Sequence, residues 1–283
     1  MKYSNLWRIP GYSPVQRLGV GSFGEVWKAI APDGREVAVK YLLDRRNHDD
    51  FCREARILLE AGGEPFIVRI LDHNLHCERP YIVMELCEST LAQQIGRLTD
   101  SQVNDVLWCL VKAVRHIHGR GGFHRDIKPH NVLLKNENGR LVPKLSDFGI
   151  ARTPHPNSGM TQSPNGTPGY MAPELLRGAP YTQASDIYSL GITMLEMLTG
   201  APRRPALRLD KPIRQMNLLY RMTDANPRNR PTIYQVEAEI QALIDVRTDP
   251  VGNFISQVSW GTVLTGAALI GLGVAVASSS EGE

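Results

Sequence analysis

From Gly11 to about Val83, short runs of apolar and β-branched residues alternate with Gly, Pro and Asp. Residues 15–18, 25–31, 35–42, 67–73 and 80–84 predict the strands of an antiparallel sheet. One helical stretch interrupts them, residues 49–61, and Gly62-Gly63 supplies its stop. Beyond residue 90 the period lengthens. Val103, Val106, Leu107, Leu110, Val111, Val114 and Ile117 recur at helical spacing, with Thr99-x-x-Gln102 as a capping box before them and Gly119 after them. Residues 185–198 are apolar nearly all round and halt at Gly200, which predicts a buried central helix. Ile233, Val236, Ile240, Leu243 and Ile244 mark a last helix opened by Thr232-x-x-Gln235. The pattern is a small β-rich lobe followed by a larger helical one, an α+β chain.

Composition leaves this picture intact and adds an asymmetry. The 283 residues are 42% hydrophobic and 22% charged with a net charge of +3, which excludes disordered, collagen-like and coiled-coil classes. Residues 251–280 contain no Asp, Glu, Lys, Arg or His, so a charged body ends in an uncharged tail. Cys52, Cys77, Cys87 and Cys109 show no C-x-x-C spacing and read as buried or partly buried thiols. No apolar run follows the N-terminal Met-Lys, so no secretory signal is visible and the body is expected in the cytosol.

Several motifs carry chemistry. Leu18-Gly19-Val20-Gly21-Ser22-Phe23-Gly24-Glu25-Val26 holds G-x-G-x-x-G between two strand-like segments, a hairpin suited to covering phosphates, although glycines also serve any tight turn. Lys40, in Val37-Ala38-Val39-Lys40, lies 16 residues after Gly24, where an ammonium can meet phosphate oxygens. Glu54 is the carboxylate best placed to hold Lys40, with Glu60 as its rival. His124-Arg125-Asp126-Ile127-Lys128-Pro129-His130-Asn131 sets an Asp and an Asn five residues apart, and Asp147-Phe148-Gly149 adds a carboxylate after a short strand at 143–145. Phosphoryl transfer needs charge neutralisation and alignment more than covalent chemistry. Asp147 and Asn131 offer hard oxygens for Mg²⁺, Asp126 can take the proton of an attacking hydroxyl, and Lys128 can steady the transferring group.

In order and spacing these motifs, with Ala172-Pro173-Glu174, resemble those of eukaryotic-type (Hanks-type) protein kinases over residues 12–246. The resemblance implies a bilobal fold with an N-lobe at 12–84, a hinge at 85–90 and a C-lobe at 91–246, preceded by a leader at 1–11. It places ATP in the cleft with Mg²⁺, for which Mn²⁺ can substitute. Leu18, Gly19, Val20, Gly21, Ser22, Phe23, Gly24, Val26, Ala38, Lys40, Met84, Glu85 and Cys87 would surround the nucleotide. Met84 would be the gatekeeper, and hinge contacts would run mostly through backbone. Lys128 after Asp126, and Gly166-Thr167-Pro168-Gly169-Tyr170, resemble Ser/Thr rather than Tyr kinases and imply protein substrates with Ser or Thr acceptors. Thr167 would bond near Asp126 and Lys128. Glu174 and Arg230 resemble the family's structural ion pair, and Asp186 its anchor for the catalytic-loop backbone.

Arg125 beside Asp126 suggests control by phosphorylation of the loop at 147–174, with Thr161 or Ser163 as the target over Thr153 and Ser158. A dimer is one arrangement for autophosphorylation. The same loop also reads as an unmodified Ser/Thr/Pro/Gly segment. The stretch 201–219 is short for the family. Between 201 and 231, Arg203, Arg204, Arg208, Lys211, Arg214, Arg221, Arg228 and Arg230 face Asp210 and Asp224, a solvated face or a surface for anionic lipid or acidic substrate. No nucleic-acid motif accompanies them.

After a linker at 247–253, residues 254–277 measure about 36 Å as a helix against a hydrocarbon core of about 30 Å. Trp260 would sit at headgroup level, Ala267-x-x-x-Gly271 would allow close helix approach, and Arg247 with the basic body favours a cytoplasmic kinase domain. The expectation is a single-pass, tail-anchored protein with residues 278–283 beyond the membrane and no sensor domain. A flexible Gly/Ala tail on a soluble cytoplasmic protein is the alternative. A catalytically silent scaffold and a kinase of small molecules are the rivals to protein phosphorylation.

Overall fold

The computed structural model describes residues 9–20, 24–138, 140–148, 169–200 and 213–243. Its first half is a five-stranded antiparallel sheet of β1 (Ser13–Val20), β2 (Gly24–Ile30), β3 (Glu36–Leu42), β4 (Ile70–Asn74) and β5 (Tyr81–Glu85), ordered β1-β2-β3-β5-β4. Period-two alternation on β3 sorts its residues between two faces. Val37, Val39 and Tyr41 join Trp27, Ala29, Tyr81 and Val83 in one cluster, while Ala38, Lys40 and Leu42 face the other way. The helix α1 (His48–Glu60) buries Phe51, Cys52, Glu54, Ala55 and Leu58, a stripe at helical spacing, and stops before Gly63, whose φ of 95° suits glycine.

The expected strand at 67–73 begins later. Residues 66–68 leave the sheet to bond the C-terminal half: the Leu145 N–H donates to the Phe66 carbonyl at 2.8 Å, and the Val68 N–H to the Leu145 carbonyl at 3.0 Å. Their apolar run belongs to the contact between the lobes. Past the hinge come β6 (Ser89–Thr90), α2 (Asp100–Gly119), the hairpin β7 (Val132–Glu137) with β8 (Arg140–Leu145), α3 (Pro173–Leu176), α4 (Gln183–Thr199), α5 (Ile213–Met222) and α6 (Ile233–Leu243). The capping box of α2 forms as read, with the Thr99 N–H donating to Gln102 Oε1 at 2.8 Å. The short strand expected at 143–145 is the end of a six-residue strand paired with β7, whose other edge pairs with β6. Pattern reading missed β6, β7, α3 and α5.

One continuous core joins α1 to α2, α4, α5, α6 and the β7–β8 hairpin, with Leu107, Leu110, Leu134 and Leu145 fully buried. Truncating one such leucine to Ala costs about 2–5 kcal/mol. All four cysteines are free thiols, three of them buried and Cys77 partly so. Among the described residues no helix is long and apolar enough to cross a membrane, and the segment 254–277 lies outside them.

Candidate active site

Lys40 reaches the cleft because alternation turns it inward, where it meets Glu54 and Asp147. Its Nζ lies 2.6 Å from Glu54 Oε1 and 3.0 Å from Asp147 Oδ1, and Lys40 and Glu54 are each about 3% exposed. Glu54 sits on the buried stripe of α1, whereas its rival Glu60 is exposed, so geometry selects Glu54. Burial works against the charge of Lys40, but the carboxylates of Asp147 and Glu54 outweigh it and raise its pKa. Burial also pushes the Glu54 carboxyl up, and Lys40 draws it back, so the glutamate depends on the lysine for its ionisation.

The loop from His124 to Asn131 is held from below by Asp186, four residues into α4. Asp186 accepts the His124 N–H at 2.8 Å and the Arg125 N–H at 2.9 Å, along with His118 Nε2 at 3.0 Å and the Tyr181 hydroxyl at 2.7 Å. Burial opposes its charge, yet the bonds from His118 and Tyr181 and the nearby imidazoles hold its carboxyl below the usual range. His124 is fully buried and burial lowers its pKa. A neutral ring suits its partners: Nε2 donates to the Ser146 carbonyl at 3.0 Å, and Nδ1 accepts the Asp126 N–H at 3.3 Å. The ring packs on Phe148 at 4.6 Å, joining this loop to the Asp147 segment.

Asp126 is thereby fixed with its carboxylate between two donors. Lys128 Nζ lies 3.0 Å from Oδ2, and Asn131 Nδ2 donates to the same oxygen at 2.9 Å and to the Asp126 carbonyl at 2.7 Å. With its amide hydrogens turned to Asp126, Asn131 keeps Oδ1 as a hard oxygen. The Ser146 N–H and hydroxyl both donate to the Asn131 carbonyl, at 2.9 and 3.0 Å, which brings Asp147 beside Asn131. Among the described residues no group of three or more His, Cys, Asp or Glu is gathered to hold a metal. One carboxylate and one amide oxygen form an incomplete hard-oxygen set, which suits a divalent cation such as Mg²⁺ whose remaining ligands are phosphate and water.

Beside this charged centre lies an apolar slot. Leu18, Val26, Ala38 and Cys87 pack with Val68 and Leu133, and Met84 lies against them, half-buried. Its apolar chemistry suits a heterocycle. Val68 and Leu133 were missed by the motifs; an apolar residue just before β4 and another two after Asn131 carry no polar signature of their own. Burial pushes the Cys87 thiol up, so it acts here as packing. Glu85 turns its buried side chain away into ion pairs with Lys135 at 3.3 Å and Lys144 at 3.4 Å. Val20 is exposed at the end of β1, and Gly19 lies beside it on that strand.

Gly24 has a different reason to be glycine from the one its motif suggests: a Cβ there would lie 1.9 Å from the Tyr41 carbonyl oxygen on β3. Gly21, Ser22, Phe23, Gly149, Thr153, Ser158, Thr161, Ser163 and Thr167 lie outside the described residues. Glu174 and Arg230 pair through two bonds of 2.7 Å, and the arginine also donates to the carbonyls of Asp224 and Ala184. Arg230 is therefore buried rather than part of a solvated basic face, and Arg221 is bound to Glu239. Arg203, Arg204, Arg208 and Lys211 lie outside the described residues.

Comparison with known proteins places the chain among similar sequences. Residues 12–249 match the protein kinase domain. Serine/threonine-protein kinase PknK of Mycobacterium bovis is 39% identical over 199 residues, 67% of this chain and 18% of that protein. Serine/threonine-protein kinase PkaA of Streptomyces coelicolor is 35% identical over 65% of this chain and 38% of its own length. Serine/threonine-protein kinase 33 of Mus musculus is 32% identical over 65% of this chain and 41% of its own length. The match thus spans under half the length of each relative. Because the match runs through both lobes and includes every position assembled around Asp126 and Lys40, the chain belongs to the protein kinase domain family.

Proposed function

We propose that this chain transfers the γ-phosphoryl group of ATP to Ser or Thr hydroxyls of protein substrates. The observation that carries the reading is the carboxylate of Asp126, oriented by Lys128 and Asn131 on a loop that Asp186 anchors, beside a Lys40 already paired with Glu54 and Asp147. The acceptor oxygen attacks the γ-phosphorus and its proton passes to Asp126; the bond to the bridging oxygen breaks and its electron pair leaves on ADP. Lys40 neutralises phosphate charge, and Lys128 steadies the group in flight. Asn131 and Asp147 would hold Mg²⁺, which supplies further charge neutralisation when bound. A silent scaffold would have no use for this assembly, and the printed names of the relatives favour Ser/Thr acceptors on protein. Transfer of labelled phosphate from ATP to a generic protein acceptor tests the reading: equal signals from wild type and Asp126→Asn overturn it.

Two finer parts rest on the sequence. Autophosphorylation at Thr161 or Ser163 is supported by Arg125, which among the described residues has no carboxylate within ion-pairing distance and lies over the rings of Phe123 and Tyr181. Phosphopeptide mapping that finds both residues unmodified in fully active protein removes it. Membrane attachment through residues 254–277, with the kinase domain cytoplasmic, is supported by their length and lack of charge. Full-length protein in the soluble fraction after membrane fractionation removes that.

A further inference from the structure

Around Cys87 in the hinge lies a cluster of charges that the proposed phosphoryl transfer does not use. Glu85, at the end of β5, is 5% exposed. Its Oε1 accepts the Arg69 N–H at 2.9 Å and lies 3.4 Å from Lys144 Nζ, while Oε2 lies 3.3 Å from Lys135 Nζ. Each lysine also grips backbone. Lys135 on β7 donates to the Leu86 carbonyl at 3.2 Å, and Lys144 on β8 donates to the Pro65 carbonyl at 2.9 Å and pairs with Glu137 at 2.9 Å. Two residues beyond Leu86, the Glu88 N–H donates to the Leu134 carbonyl at 3.0 Å, and Glu88 Oε2 accepts the Asn136 N–H at 2.6 Å.

These bonds bracket Cys87. The peptide before it is held through Leu86, the residue after it through Glu88, and every holding group comes from the β7–β8 hairpin of the other lobe. Cys87 itself lines the slot with Leu18, Val26, Ala38, Val68 and Leu133. A short connecting segment with a free backbone would have to be ordered each time a ligand bound, and that ordering weakens affinity. Glu85, the buried carboxylate of the cluster, meets two lysines, so its charge is not left uncompensated in a poorly solvated place.

We propose that Lys135, with Lys144 and Glu85, is a positioning clamp that presets the hinge for the nucleotide base and so determines nucleotide affinity. The clamp rests on the kinase reading of the cleft, because it acts on the segment that would meet the base. Lys135 is the residue to change, since its side chain is 24% exposed and its loss leaves Glu85 paired with Lys144.

The experiment is a direct titration of the 283-residue chain with Mg-ADP, alongside steady-state kinetics in ATP and thermal melts. Lys135→Met is expected to weaken Mg-ADP about fivefold and to raise KM for ATP by a similar factor with kcat nearly constant, while Lys135→Arg restores affinity to within about twofold. Wild type that binds no Mg-ADP defeats the reading of the cleft and the clamp with it. Wild type that binds, together with Lys135→Met of equal affinity, overturns the clamp alone. A parallel loss of kcat, affinity and melting temperature that Lys135→Arg fails to repair also overturns it, because it marks a merely structural lysine.

Discussion

Asn131 bonds Asp126 twice, through the backbone carbonyl at 2.7 Å and through the carboxylate at 2.9 Å. A single amide thus sets both the path of the loop and the direction of the Asp126 carboxylate, the group proposed to receive the acceptor's proton, while its own oxygen makes no bond to Asp126. Asn131→Ala is expected to lower kcat by on the order of 10²-fold and to raise the Mg²⁺ concentration needed for half-maximal rate. Asp126→Asn keeps the shape and removes the base, and is expected to lower kcat about 10²–10⁴-fold with little change in KM for ATP. Initial-rate measurements at varied Mg²⁺ and ATP distinguish the two.

Lys40 and Glu54 are buried together and each sustains the charge of the other. Removing the lysine leaves a carboxyl that burial drives toward its neutral form. A double-mutant cycle of Lys40→Met and Glu54→Gln is expected to show a coupling energy of about 1–3 kcal/mol in stability. Additive effects in urea unfolding would contradict this.

Arg230 and Glu174 tie α3 to the turn before α6 from inside the protein. Arg230→Leu strands a buried carboxylate and is expected to cost about 3–5 kcal/mol. Glu174→Leu combined with Arg230→Leu should recover part of that loss. Chemical denaturation of the three proteins checks the order.

Acid should destabilise the fold in two stages. Burial lowers the pKa of His124 in the folded state, so between that value and about 6.5 the unfolded chain binds more protons. Stability is therefore complete above about pH 6.5 and declines as pH falls below it. Asp186 and Glu174, held low by their partners, add a further loss as pH drops below about 4. Urea midpoints across this range should show the first slope shrink in His124→Asn.

Gly24 tests a packing argument. Its missing Cβ lets β2 approach β3, and Gly24→Ala is expected to cost about 1–3 kcal/mol even without nucleotide. An unchanged melting temperature would return the residue to a purely phosphate-facing role.

Sequence reading succeeded where short-range patterns carry the information. Strands β1, β2, β3 and β5 and helices α1, α2, α4 and α6 follow from apolar periodicity, caps and stopping glycines, with ends shifted by a residue or two. The charged set around Lys40 and Asp126 was singled out by motif spacing, because polar residues in a fixed order are rare, and the fold brings it together. What periodicity could not reach was anything whose apolar residues face a distant part of the chain. Residues 66–68 look like strand and serve the contact with β8. Val68 and Leu133 are 65 positions apart and meet only in the folded slot.

The sequence by itself thus determined the family and the order of the two lobes, and singled out Lys40, Asp126, Asn131 and Asp147, which the fold brings near one another. Tertiary structure decided between Glu54 and Glu60, because burial on one face of α1 is a property of what that face packs against. It also decided the reason for Gly24, the completion of the apolar slot and the grip of Lys135 and Lys144 on the hinge. The physical reason is common to all of these. Local propensity acts over a few residues, whereas burial, ion pairing and close backbone approach depend on groups brought together from far along the chain.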